Sequence, residues 1–137
     1  MRLNLSTTQR RILRALWCFL AVLVAVISLV PAAAAPIRWI DQAGLSDKAL
    51  HAAGYLPLAF LPALHERRRR VALLVAVSML LGVALEYAQS LVDGRSFEAG
   101  DMVANGAGLL AGLLAGLPFR SGPPPERPLR PPMLRLF

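Results

Sequence analysis

Residues 15–35, ALWCFLAVLVAVISLVPAAAA, run without a charged side chain. No other feature limits the fold as much. A bilayer core about 30 Å thick takes about 20 helical residues, and a run of this length and apolarity suits that solvent better than water. Three further stretches resemble it: ALHAAGYLPLAFLPAL at 49–64, Val71 to about Val92, and Met102 to Phe119. Hydrophobic residues make up 56% of the 137, more than a soluble fold of this size ordinarily carries. Alternation of period two is missing, which argues against a β-barrel. The expectation is an all-α integral membrane bundle of four transmembrane helices, with spans near 15–35, 47–64, 71–92 and 102–119. The second span is long enough only if its helix begins near Asp47. Its Pro57 and Pro62 are tolerable where neighbouring helices or waters satisfy the freed carbonyls.

Arginine placement gives the orientation. Arg2, Arg10, Arg11 and Arg14 precede the first span, Arg67 to Arg70 lie between the second and third, and Arg120, Arg127, Arg130 and Arg135 follow the fourth. The other two loops hold Arg38, Lys48 and Arg95 among Asp41, Asp47, Asp93, Glu98 and Asp101. Both termini are therefore expected in the cytoplasm, with the 36–48 and 93–101 loops outside. Residues 1–14 form a cytoplasmic segment, 15–119 the membrane domain, and 120–137 a disordered cytoplasmic tail rich in proline and arginine. The prolines of that tail also suit a polyproline ligand, but a solvated basic tail near anionic lipid is the simpler reading. A rival for the first span is a secretory signal peptide, since basic residues, an apolar run and PAAAAP follow one another. A retained span is preferred, because the run exceeds a usual signal core and completes an even topology.

Net charge is +7, yet the basic residues fall in short clusters between apolar runs, with no aromatic-studded basic surface, so nucleic acid is excluded as a partner. Cys18 is the single cysteine, which forbids an internal disulfide and suggests a buried, inert thiol. Trp17 and Trp39 suit interfacial anchors. His65, beside four arginines, is expected in solvent.

Polar residues gather where lipid should discourage them. At about 1.5 Å per residue, Glu86 stands about 22 Å above Val71 and Gln89 about 27 Å, while His51 stands about 20 Å above Leu64. Asp101 opens the fourth span, with Asn105 one turn further. Three helices thus carry polar groups at one level, in the outer third of the membrane. The groups also share faces. Asp47, His51 and Tyr55 recur at i, i+4, i+8; Glu86 and Gln89 continue a stripe with Ser78, Gly82 and Ser90; Asp101, Asn105, Gly108, Gly112 and Gly116 form another. The last stripe contains Gly-xxx-Gly-xxx-Gly, which lets helix backbones approach closely in lipid. Glu86, the deepest acid, must face protein or water, take a proton, or pair with Lys48, Arg95 or His51.

DKALHAAGY at 47–55, EYAQ at 86–89, GR at 94–95 and DMVANGAG at 101–108, in this order, resemble the VanZ-like family of small bacterial membrane proteins. Asp47, Lys48, His51, Glu86, Gln89, Gly94, Arg95, Asp101, Asn105 and Gly108 match the family's hallmark positions, over roughly residues 45–117. Ala52 departs from it, since many members carry an aromatic there, and the proline-rich tail lies outside the motif. The founder of the family is associated with low-level teicoplanin resistance. The resemblance implies a multi-pass protein of the bacterial inner membrane with a functional pocket more than it implies a reaction.

Besides the lipid bilayer, the partner read from these residues is an anionic lipid-linked or cell-envelope ligand at the outer leaflet. Lys48 and Arg95 would hold its phosphate or carboxylate, and Asp47, Tyr55, Gln89 and Asn105 would complete the binding set. His51, Glu86 and Asp101 are the catalytic candidates, with His51 titrating near neutrality beside Glu86 or Asp101. Whether a reaction follows binding stays open, and Tyr55 is as well explained by packing and a hydrogen bond to His51. The alternative is a non-catalytic scaffold or accessory protein, working as a homo-oligomer or with a membrane partner, whose polar cluster latches the helices. Asp47, His51, Glu86 and Asp101 suit a hard or borderline cation by type, but no single segment has tight ligand spacing, so no metal or cofactor is assigned. A transporter is disfavoured, because below Ser78 the third span is plain Val, Ala and Leu.

Overall fold

The computed structural model describes residues 3–31, 44, 46–93 and 96–121. The expectations for Gly94, Arg95, Trp39, the first outer loop from 36 to 43 and the proline-rich tail lie outside the described residues. Those described contain four helices: α1 Thr7–Ser28, α2 Asp47–His65, α3 Arg68–Gln89 and α4 Ala99–Gly116, which runs on into a 3-10 turn at Leu117–Phe119.

Local chemistry sets the helix ends. Ser6 and Gln9 close a capping box, with the Gln9 amide N–H donating to Ser6 Oγ at 3.2 Å and the Ser6 N–H to Gln9 Oε1 at 2.8 Å. The helix therefore starts at Thr7 and carries Arg10, Arg11 and Arg14 on its first turns. It stops at Ser28, shortly before Pro31, whose ring disfavours a helical residue ahead of it. Between α2 and α3, Glu66 and Arg67 are extended and turn the chain in two residues.

Three helices are long and apolar enough to cross a membrane: α1, α3, and α4 with its 3-10 turn. Asp47, Lys48, His51 and two prolines keep α2 out of that group, and α2 is also the most enclosed helix. Tyr55, Leu58 and Ala59 of α2 are buried with Leu109 of α4, and Trp17, Leu20 and Val24 of α1 and Val75 and Met79 of α3 pack around them. The outward faces of α1, α3 and α4 carry exposed Phe19, Leu80 and Val103. The helix with a polar N-terminal end and an apolar middle is thus wrapped by the three of spanning apolarity.

The closest packing is between α2 and α4, which run parallel. A Cβ on Gly108 would overlap the carbonyl oxygen of Ala52, one on Gly112 that of Leu56, and one on Gly116 would stand 2.9 Å from that of Phe60 and 2.7 Å from Ala63 Cβ. Each step of four along α4 meets a step of four along α2, so only glycine permits this approach. The glycine stripe thus has α2 as its partner.

Pro62 cannot donate to Leu58, four residues back, and the orphaned carbonyl accepts the Trp17 indole N–H at 2.8 Å. Trp17 is therefore a structural tie between α1 and α2 rather than only an interfacial anchor. Two more expectations are corrected. Cys18 is exposed on α1, in an open groove beside Pro62 and His65. His65 is buried at 5% exposure, and its Nδ1–H donates to the Leu61 carbonyl at 2.8 Å.

Candidate functional site

Parallel packing of α2 and α4 brings their N-termini together. Asp47 is the first residue of α2 and Asp101 lies in the first turn of α4, where a carboxylate complements the helix dipole. One turn further in, His51 and Asn105 meet. His51 Nδ1 lies 3.0 Å from Asn105 Oδ1. An amide oxygen only accepts, so Nδ1 carries the hydrogen of that bond and Nε2 points the other way. Nε2 lies 3.5 Å from Asp101 Oδ2 and 4.0 Å from Asp47 Oδ2. The carboxylate beside His51 is thus Asp101, with Asp47 at the edge.

Glu86 serves elsewhere. Its side chain is 1% exposed, and Oε1 accepts the backbone N–H of Glu98 at 2.9 Å, which pins the segment leading into α4. Gln89, also buried, donates from Nε2 to the Ser28 carbonyl at 3.0 Å and ties the end of α3 to the end of α1. Tyr55 is buried with its ring and hydroxyl against Gly82, and no hydrogen bond joins it to His51 among the described residues. Lys48 extends over Gly100 and donates to Glu98 Oε2 at 3.1 Å, with Asp101 Oδ1 at 3.5 Å.

Two layers result. Asp47, Lys48 and Glu98 form an accessible rim, His51 is half-buried beneath it, and Asp101, Asn105, Glu86, Gln89 and Tyr55 form a buried floor. Glu98 was missed as a functional residue by sequence reading, where it counts only as a loop acid. Its place immediately before α4 was the available signal. Two floor atoms, Glu86 Oε2 and Asp101 Oδ1, accept no hydrogen bond among the described residues.

The opposite end holds a second polar group. Glu66, buried in the α2–α3 corner, accepts Arg14 Nε at 2.6 Å and Arg70 Nη1 at 3.1 Å. Arg10 donates to the His65 carbonyl and Arg120 to the Glu66 carbonyl, each at 2.6 Å, while the Ser121 N–H reaches Leu64 O at 2.7 Å. Burial raises the Glu66 carboxyl, but the hydrogen bonds from Arg14 and Arg70 outweigh it and hold the group below its ordinary 4.5.

A model of the VanZ/LLP1 family matches residues 5–119. The chain belongs to the VanZ/LLP1 family. None of the curated proteins and none of the solved structures compared with it match. The family match takes in all four helices among the described residues, and with three helices of spanning length and apolarity the chain is a VanZ-like multi-pass membrane protein.

Proposed function

We propose that this VanZ-like protein crosses the bacterial inner membrane four times with both termini cytoplasmic, and that the N-terminal end of α2 and α4 faces outward as a binding site for an anionic lipid-linked or cell-envelope ligand. Arginine at the opposite end supports that orientation, and the enclosure of α2 by apolar neighbours supports its counting as the fourth span. The observation that carries the binding reading is Lys48. Its side chain is 54% exposed above half-buried His51 and the buried Asn105 and Asp101, and it is held by a similarly accessible Glu98 that a ligand phosphate can displace. Lys48 would act as a point charge, Arg95 would add a bidentate contact, and His51 would stand within reach of the bound group.

Lipid mass spectrometry on protein extracted from its membrane tests this. An anionic lipid-linked species should accompany the wild type and be lost from Lys48→Ala and Arg95→Ala while membrane accumulation is unchanged. If those variants disappear from the membrane instead, the cluster is a latch. The Glu86–Glu98 and Gln89–Ser28 bonds favour that second reading, a scaffold that works with a membrane partner or a second copy. Crosslinking to a constant partner, unaffected by Lys48→Ala, would establish it.

A further inference from the structure

We propose that Asp47, His51 and Asp101 bind a divalent cation of borderline hardness, zinc-like rather than magnesium-like. The proposal deepens the reading of this end as a ligand site and rests on it, although the cation needs no lipid to bind. One carboxylate oxygen from each aspartate and one ring nitrogen of His51 all lie within 4.8 Å of one another.

The state of His51 is the first argument. Its bond to Asn105 Oδ1 places a hydrogen on Nδ1, so a neutral ring there presents a bare lone pair on Nε2. That lone pair faces two carboxylate oxygens, at 3.5 and 4.0 Å. Lone pair against carboxylate is repulsive unless a positive charge lies between them. A histidine oriented through its other nitrogen by a carbonyl oxygen is also how proteins prepare an imidazole to ligate a metal.

Asp101 is the second argument: its Oδ2 faces His51, and its other oxygen, Oδ1, lies on the Lys48 side. It is 3% exposed, yet Oδ1 accepts no hydrogen bond and has only the Lys48 ammonium, at 3.5 Å. A carboxylate that deep is costly without full compensation. The helix dipoles account for Asp47 and Asp101 one at a time, but not for both converging on one imidazole nitrogen. The exposed Asp47 leaves an entry path.

Two carboxylates neutralise a divalent charge. One imidazole nitrogen favours zinc over magnesium, which prefers oxygen alone. Three protein ligands leave coordination positions for water or for an oxygen of the anionic ligand. Lys48 is a competitor for Asp101 and should weaken the cation.

The full chain, purified in detergent and stripped with a chelator, is titrated with Zn2+ alone by calorimetry near pH 7. One equivalent should bind, with Mg2+ far weaker. His51→Gln and Asp47→Asn should each weaken Zn2+ by about tenfold or more, and Lys48→Met should bind it at least as tightly as the wild type. Circular dichroism and melting of Asp47→Asn, altered only at the rim, show whether the fold survives. Sub-stoichiometric Zn2+, or wild-type affinity in folded His51→Gln, overturns the proposal. Anionic lipid retained by protein that binds no Zn2+ overturns the cation site and spares the ligand reading. Zn2+ bound by protein that retains no anionic lipid in mass spectrometry supports the cation and counts against the ligand reading.

Discussion

Both ends of the bundle set a histidine against acidic residues, and they resolve the conflict differently. In the α2–α3 corner, His65 Nε2 lies 3.3 Å from Glu66 Oε1, but that carboxylate already accepts bonds from two arginines on two other helices. Cation outnumbers acid, and the backbone carbonyls of His65 and Glu66 are taken by Arg10 and Arg120, although His65 Nε2 and Ser121 Oγ have no hydrogen-bond partner among the described residues. At the N-terminal end of α2 and α4 the balance is inverted. Asp47, Glu98 and Asp101 share Lys48 and His51 among the described residues, and a buried carboxylate oxygen lacks a hydrogen bond. An arginine-rich cluster around one carboxylate is a clamp, whereas an acid-rich one beneath an exposed rim has capacity left for a ligand.

The contrast can be broken most severely at Gly112. The Leu56 carbonyl leaves no space for a Cβ there, so Gly112→Leu should part α2 from α4. A cost of about 3 kcal/mol, the upper end of overpacking because the obstacle is backbone, is expected as a fall in detergent melting temperature. The same variant should release the Glu66 clamp less, since Arg14 and Arg70 come from α1 and α3. Unchanged melting would show that the parallel pair does not hold the open end together.

Glu66→Gln probes the clamped end. It leaves two half-exposed arginines short of a carboxylate and should cost about 2 kcal/mol, below the range for wholly buried pairs. The pH dependence follows from the depressed Glu66 carboxyl. Its contribution is complete above about pH 4.5, where the unfolded carboxyl is ionised, and is lost as pH falls through the lower folded value. The melting difference between wild type and Glu66→Gln should therefore shrink only below about pH 4.5. A difference that instead shrinks around neutrality would assign the clamp to another group.

Trp17→Phe is smaller. It removes the donor to the carbonyl freed by Pro62 and should cost about 1 kcal/mol in the same melting assay. Smallest of all is Asp47→Asn, at an exposed position beside like charges, expected within about 0.5 kcal/mol of wild type. A large loss there would make the open end as structural as the clamped one.

Periodicity made much of this legible. Asp101, Asn105, Gly108, Gly112 and Gly116 are predicted on one face of α4, and all five are buried. The spacing of Ser78, Gly82, Glu86 and Gln89 likewise marks the buried side of α3, while Ser90, assigned to the same stripe, is exposed beyond the helix end. Neighbouring residues misled where burial depended on another element. His65 reads as solvated beside four arginines, but a two-residue corner tucks it under α1. Cys18 reads as buried in an apolar run, yet is exposed on α1. Glu86 reads as a partner for a cation, and a backbone N–H twelve residues later takes that role.

The sequence by itself determined that the chain is helical, membrane-adapted and polar at one level on three helices, because hydrophobic length and a 3.6-residue period are local properties written along the chain. Which helix lies against the glycines, which carboxylate faces His51 and which faces a loop amide were decided only in three dimensions. A stripe of small residues specifies a face but not its partner. The approach of α2 to α4, close enough to exclude a single Cβ, is what turns the spacing of Asp47, His51, Asp101 and Asn105 into contacts.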